Sequence, residues 1–347
     1  MQNFYILIFD VDMNYKIFVN KLMLVFVLFV VALALINYII DPFQQYRISS
    51  WYKITGKKQR MVVPGLAKNL QGDTVIIGSS VTENFEPSYV NQVFKTDTLK
   101  LSVAGMTAHE MHYMLRILEK YNKRISHIII SLDLFALSGS PDKVRNPPLP
   151  VYMYDDEYFN DVKYLLNWET LKYSLRMMKQ SNLGKTNFDE LWYWGSVDFS
   201  EKAVRESIAK NTFNLSYKKE DYTSNVLYQS LESNILPYIR NNPHIQFDVY
   251  FPPYSYLTYK DMREKGWLEH ALELKNMLVK ESYKNLILHD FQCDISVVGD
   301  LNNYKDISHF SPVINRYIID SIKEKKHVIT QDNLDKCSDI VRRSSLI

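Results

Sequence analysis

Hydrophobic and polar positions along this chain fall into two regimes. Residues 22–40 (LMLVFVLFVVALALINYII) form an apolar run without a charge, interrupted only by Asn37. Such a run is long enough to cross about 30 Å of hydrocarbon as a helix. From residue 71 the pattern changes to short β-branched runs separated by helix-period segments. Strands are predicted at 74–77, 98–103, 125–132, 245–251 and 285–289, and helices at 106–120, 267–281 and 312–325. Pro312 falls in the first turn of the last helix, where a missing N–H costs nothing. Alternation of this kind predicts an α/β fold, a parallel sheet with right-handed crossovers.

The interval 137–230 breaks the alternation. It opens with Ser138-Gly-Ser-Pro141 and Asn146-Pro-Pro-Leu-Pro150, and continues with helical, aromatic-rich segments. It reads as an insertion between the third and fourth strands, on the side where a site would lie. The expected organisation is therefore a short cytoplasmic segment (1–21), a transmembrane helix (22–40), a partly amphipathic basic connector (41–70), the α/β domain (71–330) and a polar tail (331–347). No internal repeat or low-complexity tract is evident.

Composition narrows the function. With 41 basic and 39 acidic residues in 347 the net charge is +2, and no basic stripe exists, which excludes nucleic acid as the expected partner. Cys293 and Cys337 lie far apart, with no metal spacing and no disulfide framework; they are expected unpaired. The apolar run closes on Asn37-Tyr-Ile-Ile-Asp-Pro42 instead of a small-residue cleavage site, so an uncleaved anchor is expected over a signal peptide or a core helix. Lys16 and Lys21 precede it, while Arg47, Lys53, Lys57, Lys58 and Arg60 come after it. The charge count favours a cytoplasmic domain, but long domains translocate largely regardless of charge, so the residues alone leave topology open.

Candidate chemistry lies at two places. The first strand ends in Gly78-Ser79-Ser80 and turns into a helix-compatible stretch, a corner that lifts a hydroxyl out at the carboxyl edge of a sheet. Far downstream stands Asp306-Ile307-Ser308-His309 on a short loop before the last helix. A serine hydroxyl needs an adjacent base, imidazole serves near neutral pH, and a carboxylate fixes its tautomer. Ser79 is the rival nucleophile and is better read as a turn residue. His109-Glu110-Met111-His112 has histidines three apart where a zinc helix needs four, so it reads as a solvated helix face, with His109 near the site mouth. His289-Asp290 is a second source of a carboxylate, with poorer spacing than Asp306. Trp168, Trp192, Tyr193 and Trp194 suit stacking on sugar rings, although packing of the insertion or a membrane-proximal position explains them more simply.

Four blocks in order make the chain resemble the SGNH (GDSL-like) hydrolase superfamily, in particular its membrane-anchored bacterial branch related to the D-alanyl-transfer protein DltD and alginate-acetylation proteins. Gly78-Ser79-Ser80 matches the first block, Gly105 in Leu101-Ser-Val-Ala-Gly105 the second, and Asp306-Ile-Ser-His309 the last. The third, normally Gly-x-Asn, is here Ser131-Leu132-Asp133. The resemblance spans about 71–325 without the insertion. It implies a three-layer α/β/α, flavodoxin-like sheet, with Ser80 as nucleophile, His309 as base and Asp306 orienting it. The N–H groups of Ser80 and Gly105 would form the oxyanion hole, with Asn84 helping, and Gly78, Ser79 and Asp133 shaping the site. An ionised Asp133 at 4 Å would oppose an oxyanion by roughly 4 kcal/mol at an effective dielectric near 20. It must therefore be protonated, turned away as a structural acceptor for loop N–H groups, or part of a site no longer catalytic; the structural role is expected.

By the same resemblance, the chain would be a serine esterase or O-acyltransferase at the periplasmic or outer face of the bacterial cytoplasmic membrane. It would act on a cell-envelope glycan or acyl ester alongside a membrane-bound O-acyltransferase, with no cofactor or metal. The alternative is a catalytically silent scaffold or glycan-binding partner of an envelope acylation or polysaccharide assembly, motivated by Asp133 and the weak oxyanion hole.

Overall fold

The computed structural model describes residues 2–145, 149–155, 157–179, 184–210, 218–281 and 283–347; the side chains of 2–14 and of Tyr158 are not described. The Asn-Pro-Pro step at 146–148 lies outside the described residues. The chain opens with α1 (Gln2–Ile40) and α2 (Gln59–Asn69), followed by β1 (Thr74–Gly78), α3 (Pro87–Phe94), β2 (Thr98–Ser102), α4 (Ala108–Tyr121) and β3 (His127–Ser131). Between β3 and β4 come α5 (Leu134–Leu137), α6 (Val162–Leu165), α7 (Trp168–Lys179), α8 (Glu201–Ala209), α9 (Ser224–Asn234) and α10 (Leu236–Asn241). The remainder is β4 (Gln246–Phe251), α11 (Tyr256–Glu264), α12 (Leu268–Val279), β5 (Leu286–Asp290), α13 (Ile295–Val298), α14 (Pro312–Lys323) and α15 (Leu334–Ser344).

The five strands form one all-parallel sheet in the order β2-β1-β3-β4-β5. Their sequences explain this. All five residues of β1 are buried, and Ile128, Ile129 and Ile130 of β3 are fully buried, as strands covered on both faces require. Helices α2, α4, α9 and α12 pack side by side as one layer, and α3 pairs with α14 in another. The fold is thus α/β with a flavodoxin-like strand order. That order reverses direction between β1 and β3, and the crevice outside the carboxyl ends there is where open α/β sheets bind ligands.

Three expectations are corrected. The polar tail 331–347 is not a tail. It contains α15, whose sparse apolar positions Leu334, Cys337 and Val341 repeat at helical spacing and are buried, while charged residues cover the rest. Cys337 on this helix is joined to Cys293 in a disulfide, so the two cysteines are not unpaired. A bridge across a sequence separation of 44 removes about 4 kcal/mol of unfolded-chain entropy in the chain-entropy account. Glu110 is not on a solvated face either. It is 1 % exposed, closes a capping box with Thr107 at the start of α4 and pairs with Arg60 at 2.7 Å.

Helix α1 is continuous, and residues 15–40 are long and apolar enough to cross a membrane. One face of its last turns packs on the domain, where Asn37 is fully buried and Ile36 and Ile40 pack with Met177 and Tyr52, while Leu35, Tyr38 and Ile39 on the other face are exposed.

Candidate active site

The corner after β1 is built by close approach. A Cβ on Gly78 would lie 2.4 Å from Thr82 Cγ2 and 2.8 Å from Ser131 Cβ, so only glycine lets the turn tuck beneath β3. Ser79 is extended, and residues Ser80–Thr82 form a single 3₁₀ turn held by the Thr82 hydroxyl on the Ser79 carbonyl at 2.7 Å. From α14, the Asn315 amide donates to the Val81 carbonyl at 2.9 Å and fastens the turn to the last helix layer.

The loop bearing Asp306 and His309 is clamped from α11. The N–H and hydroxyl of Ser255 and the hydroxyl of Thr258 all donate to the Ile307 carbonyl. Asp306 Oδ1 accepts the backbone N–H of Ser308 and of His309, each at 2.9 Å, and its Oδ2 lies 2.8 Å from His309 Nδ1. Burial alone would push this carboxyl up. The His309 ring and the two backbone donors together outweigh burial and hold it below the usual carboxylate range. An ionised acceptor at Nδ1 fixes the proton there and leaves Nε2 with its lone pair. That Nε2 is 2.7 Å from Ser80 Oγ. Three side chains separated by as many as 229 residues thus form one hydrogen-bonded line.

Across the same cleft lies Gly105, at φ +60°, in the left-handed region that favours glycine. Arg60 donates to the Gly105 and Ala104 carbonyls at 3.1 and 3.2 Å, locking the peptides on either side. The Arg145 guanidinium lies directly against the Gly105 Cα, where a Cβ would sit 1.8 Å from its Nη1. Among the described residues, neither the Ser80 N–H nor the Gly105 N–H has a protein acceptor.

Asp133 also lines the cleft, 4 % exposed. Its partners are hydroxyls and not the backbone N–H groups expected from the sequence. Tyr254 O–H donates to Oδ1 at 2.6 Å, and the Ser131 hydroxyl lies 3.5 Å from Oδ2, with Ser79 as a further partner. Burial pushes the Asp133 carboxyl up, and the hydroxyls offset this only in part. Asn84 is buried and is not among the residues that line the cleft; its Oδ1 accepts the Trp194 N–H at 3.1 Å, which positions the aromatic wall, and its Nδ2 has no partner among the described residues.

The cleft encloses about 460 Å³ between these groups. The insertion supplies one wall. Trp194 meets the His309 ring edge-on at 5.2 Å, donates from Nε1 to Glu83 Oε2 at 2.5 Å, and carries Lys305 Nζ 3.6 Å over its ring. Lys305 is pushed below its usual pKa by burial. Tyr222 and Trp267 line the opposite part. The sequence pointed to Trp194 only as one of four aromatics, and it missed Tyr254, Arg145 and Lys305. Lys305 adjoins Asp306, and Tyr254 comes after Pro252-Pro253 at the end of β4; both positions at strand or loop ends were legible as places, not as roles.

The other candidates lie elsewhere. His289 is buried, its Nε2 2.8 Å from Asp248, and Asp290 pairs with Lys275 at 2.6 Å, so neither serves the cleft. His109 contacts Asn234 and is not among the cleft residues. Trp192 is a core side chain and Trp168 an exposed one on α7. Among the described residues, Asp290, Cys293 and Cys337 cluster like metal ligands, but both sulfurs are spent in the disulfide and the carboxylate is paired with Lys275.

No family model matches the sequence, and no curated protein matches it. Among solved structures, the chain is similar to a protein of Streptococcus pneumonia that carries the provisional name platelet activating factor. The two are 14 % identical, the match covers 78 % of this chain and 91 % of that one, and the TM-score is 0.37. A likeness at that level carries no argument about chemistry, which rests on the geometry of the cleft.

Proposed function

We propose that the protein is a membrane-anchored serine acyl esterase or O-acyltransferase. The observation that carries this is the Ser80–His309–Asp306 line, with Nε2 at 2.7 Å from the hydroxyl and Nδ1 at 2.8 Å from the carboxylate. Ser80 attacks the acyl carbonyl while His309 takes its proton, and Asp306 stabilises the imidazolium that results. The tetrahedral oxyanion is held by the Ser80 and Gly105 N–H groups, with the Arg145 charge beside Gly105 adding to them. Collapse returns the proton from His309 to the leaving oxygen. Water or an acceptor hydroxyl then repeats the sequence and releases the acyl group, so esterase and transferase differ only in the second nucleophile.

Burial shifts Asp133 towards the neutral acid, the form that opposes no developing charge and is compatible with this reaction. The reading of a silent scaffold rests on Asp133 and on the weak oxyanion hole it leaves. The formed serine–histidine hydrogen bond and, among the described residues, two N–H groups without protein acceptors favour catalysis over it.

One face of the last turns of α1, and Asp41 just beyond it, are hydrogen-bonded to the domain, which supports an uncleaved anchor. With the resemblance, this supports a domain at the periplasmic or outer face, an envelope glycan or acyl ester as substrate, and a membrane-bound O-acyltransferase as partner. Hydrolysis of a 4-nitrophenyl acyl ester by the full chain in detergent is the test: turnover that disappears in both Ser80→Ala and His309→Ala supports the esterase, and turnover retained in either variant refutes it. A C-terminal alkaline phosphatase fusion that stays inactive would refute the exported topology.

A further inference from the structure

The junction between α1 and the domain sets a depth. Asn37 Nδ2 donates to the Leu165 carbonyl at 2.8 Å and the Asn167 carbonyl at 3.3 Å, and Ser174 Oγ donates to Asn37 Oδ1 at 2.9 Å. Thus the turn between α6 and α7, and the middle of α7, both meet α1 at the level of one residue. Just beyond, Tyr164 donates to Asp41 Oδ1 at 2.8 Å, and three successive N–H groups from Gln45 to Arg47 close on the same carboxylate. Arg47 caps the helix by donating to the Tyr38 and Ile39 carbonyls, both at 2.9 Å.

Lys21 is the last charge before the apolar run, so a span of roughly 20 residues that starts past it needs everything to about residue 41. At 1.5 Å per residue, Asn37 then lies roughly 5 Å inside the end of the span. Elements docked on Asn37 are held at that depth, which is the boundary of headgroups and acyl chains. Their outward faces carry large apolar side chains, with Phe159 98 % exposed, Trp168 62 %, Val162 49 %, Met178 48 %, Leu175 44 % and Leu166 40 %, interspersed with exposed Lys163, Glu169, Lys172, Arg176 and Lys179. Trp51, on the connector beside the same junction, is 41 % exposed. On α7 the inward positions are Thr170, Ser174 and Met177, while Lys172 lies over the Trp168 ring and Arg176 over Tyr173. An amphipathic helix with Trp and Leu on one side and cations nearby is the pattern of a segment lying in the membrane interface.

We propose that α6, α7 and the segment carrying Phe159 form a lipid-seated collar around the exit of α1. The occupant is the headgroup–acyl boundary of the bilayer, and the attraction of Lys172 and Arg176 is to anionic headgroups. The collar adds a second membrane contact to the docked helix and so fixes the pose of the domain. From Asp41 the chain reaches Gln59 and Arg60 in 18 residues (59 − 41), and these two side chains bond Glu83 and the Ala104 and Gly105 carbonyls of the cleft. The nucleophile is thereby held in one orientation over the membrane. This inference rests on reading α1 as an anchor.

The test is the full chain reconstituted into phosphatidylethanolamine–phosphatidylglycerol vesicles containing lipids brominated near the carbonyl end of the acyl chains. Tryptophan fluorescence is expected to be quenched, and the quenchable part to fall by about half or more in the Trp51→Phe/Trp168→Phe double variant while Trp267→Phe leaves it unchanged. Co-flotation with vesicles after an alkaline wash, combined with no such difference between the variants, overturns the collar and leaves the anchor standing. Failure to co-float overturns the anchor and the collar with it. A photo-reactive residue at position 159 that yields protein adducts in place of lipid adducts in native membranes overturns the lipid occupant in favour of an integral-membrane partner.

Discussion

Two carboxylates, Asp133 lining the cleft and Asp306 behind His309, behave in opposite ways. Asp306 and Asp133 are similarly buried, at 9 % and 4 % exposure, yet Asp306 is held below the usual carboxylate range and Asp133 is pushed above it. Burial acts on both in the same direction. The difference lies in the partners. Asp306 receives an imidazole nitrogen and two backbone N–H groups from its own loop, three donors that favour the ion. Asp133 receives hydroxyls, which are weaker donors to an ion and are equally content beside a neutral acid. In the proposed reaction, Asp306 would hold negative charge next to a ring that becomes positive, and Asp133 would avoid negative charge where the oxyanion develops.

The largest effect that can break this comparison is at Asp306. Replacing it by Asn presents a side chain that no longer stabilises the imidazolium, and the acyl-transfer rate is expected to fall by about a thousandfold or more. A loss of less than about tenfold would mean that the carboxylate does not orient His309. Next comes Gly105→Ala. The left-handed backbone and the Arg145 guanidinium both oppose a Cβ, so the loop must shift and the rate is expected to drop about a hundredfold, the scale of losing one oxyanion donor. Retained activity would remove Gly105 from the oxyanion side.

Stability against pH gives the two carboxylates opposite slopes. Asp306, with its lowered folded pKa, contributes stability that is present above about pH 4 and lost as pH falls through the folded value. Asp133, with its raised folded pKa, costs stability as pH rises from about 4 through its folded value. Thermal midpoints of the full chain in detergent should therefore show the wild type gaining on Asp306→Asn with rising pH while losing ground to Asp133→Asn. Parallel slopes would contradict the contrast. The smallest effect is Asp133→Asn on catalysis: a neutral acid and an amide are nearly isosteric, and the rate is expected to change by about threefold or less. An increase of about tenfold or more would show that Asp133 is ionised in the working enzyme.

The fold was largely legible because β-branched runs such as Val75–Ile77 and Ile128–Ile130 permit little else than buried parallel strands. Helix α15 was not, since its few apolar positions are diluted by charge and its anchor, the disulfide to Cys293, depends on distance in space. Within the site, Ser80, Asp306 and His309 announced themselves through spacing at element ends. Tyr254 and Arg145 did not, because what defines them is the neighbour they touch, Asp133 in one case and Gly105 in the other. Asn84, four residues past Ser80, is likewise defined by a neighbour, the Trp194 N–H that its Oδ1 accepts.

The most direct measurement of the central claim is covalent labelling of the purified full chain by a fluorophosphonate near neutral pH, read as an intact-mass increase and mapped by peptide mass spectrometry. A single adduct on Ser80 that disappears in His309→Ala is the predicted result. An unlabelled protein, or an adduct on Ser79 with Ser80 untouched, would contradict the account.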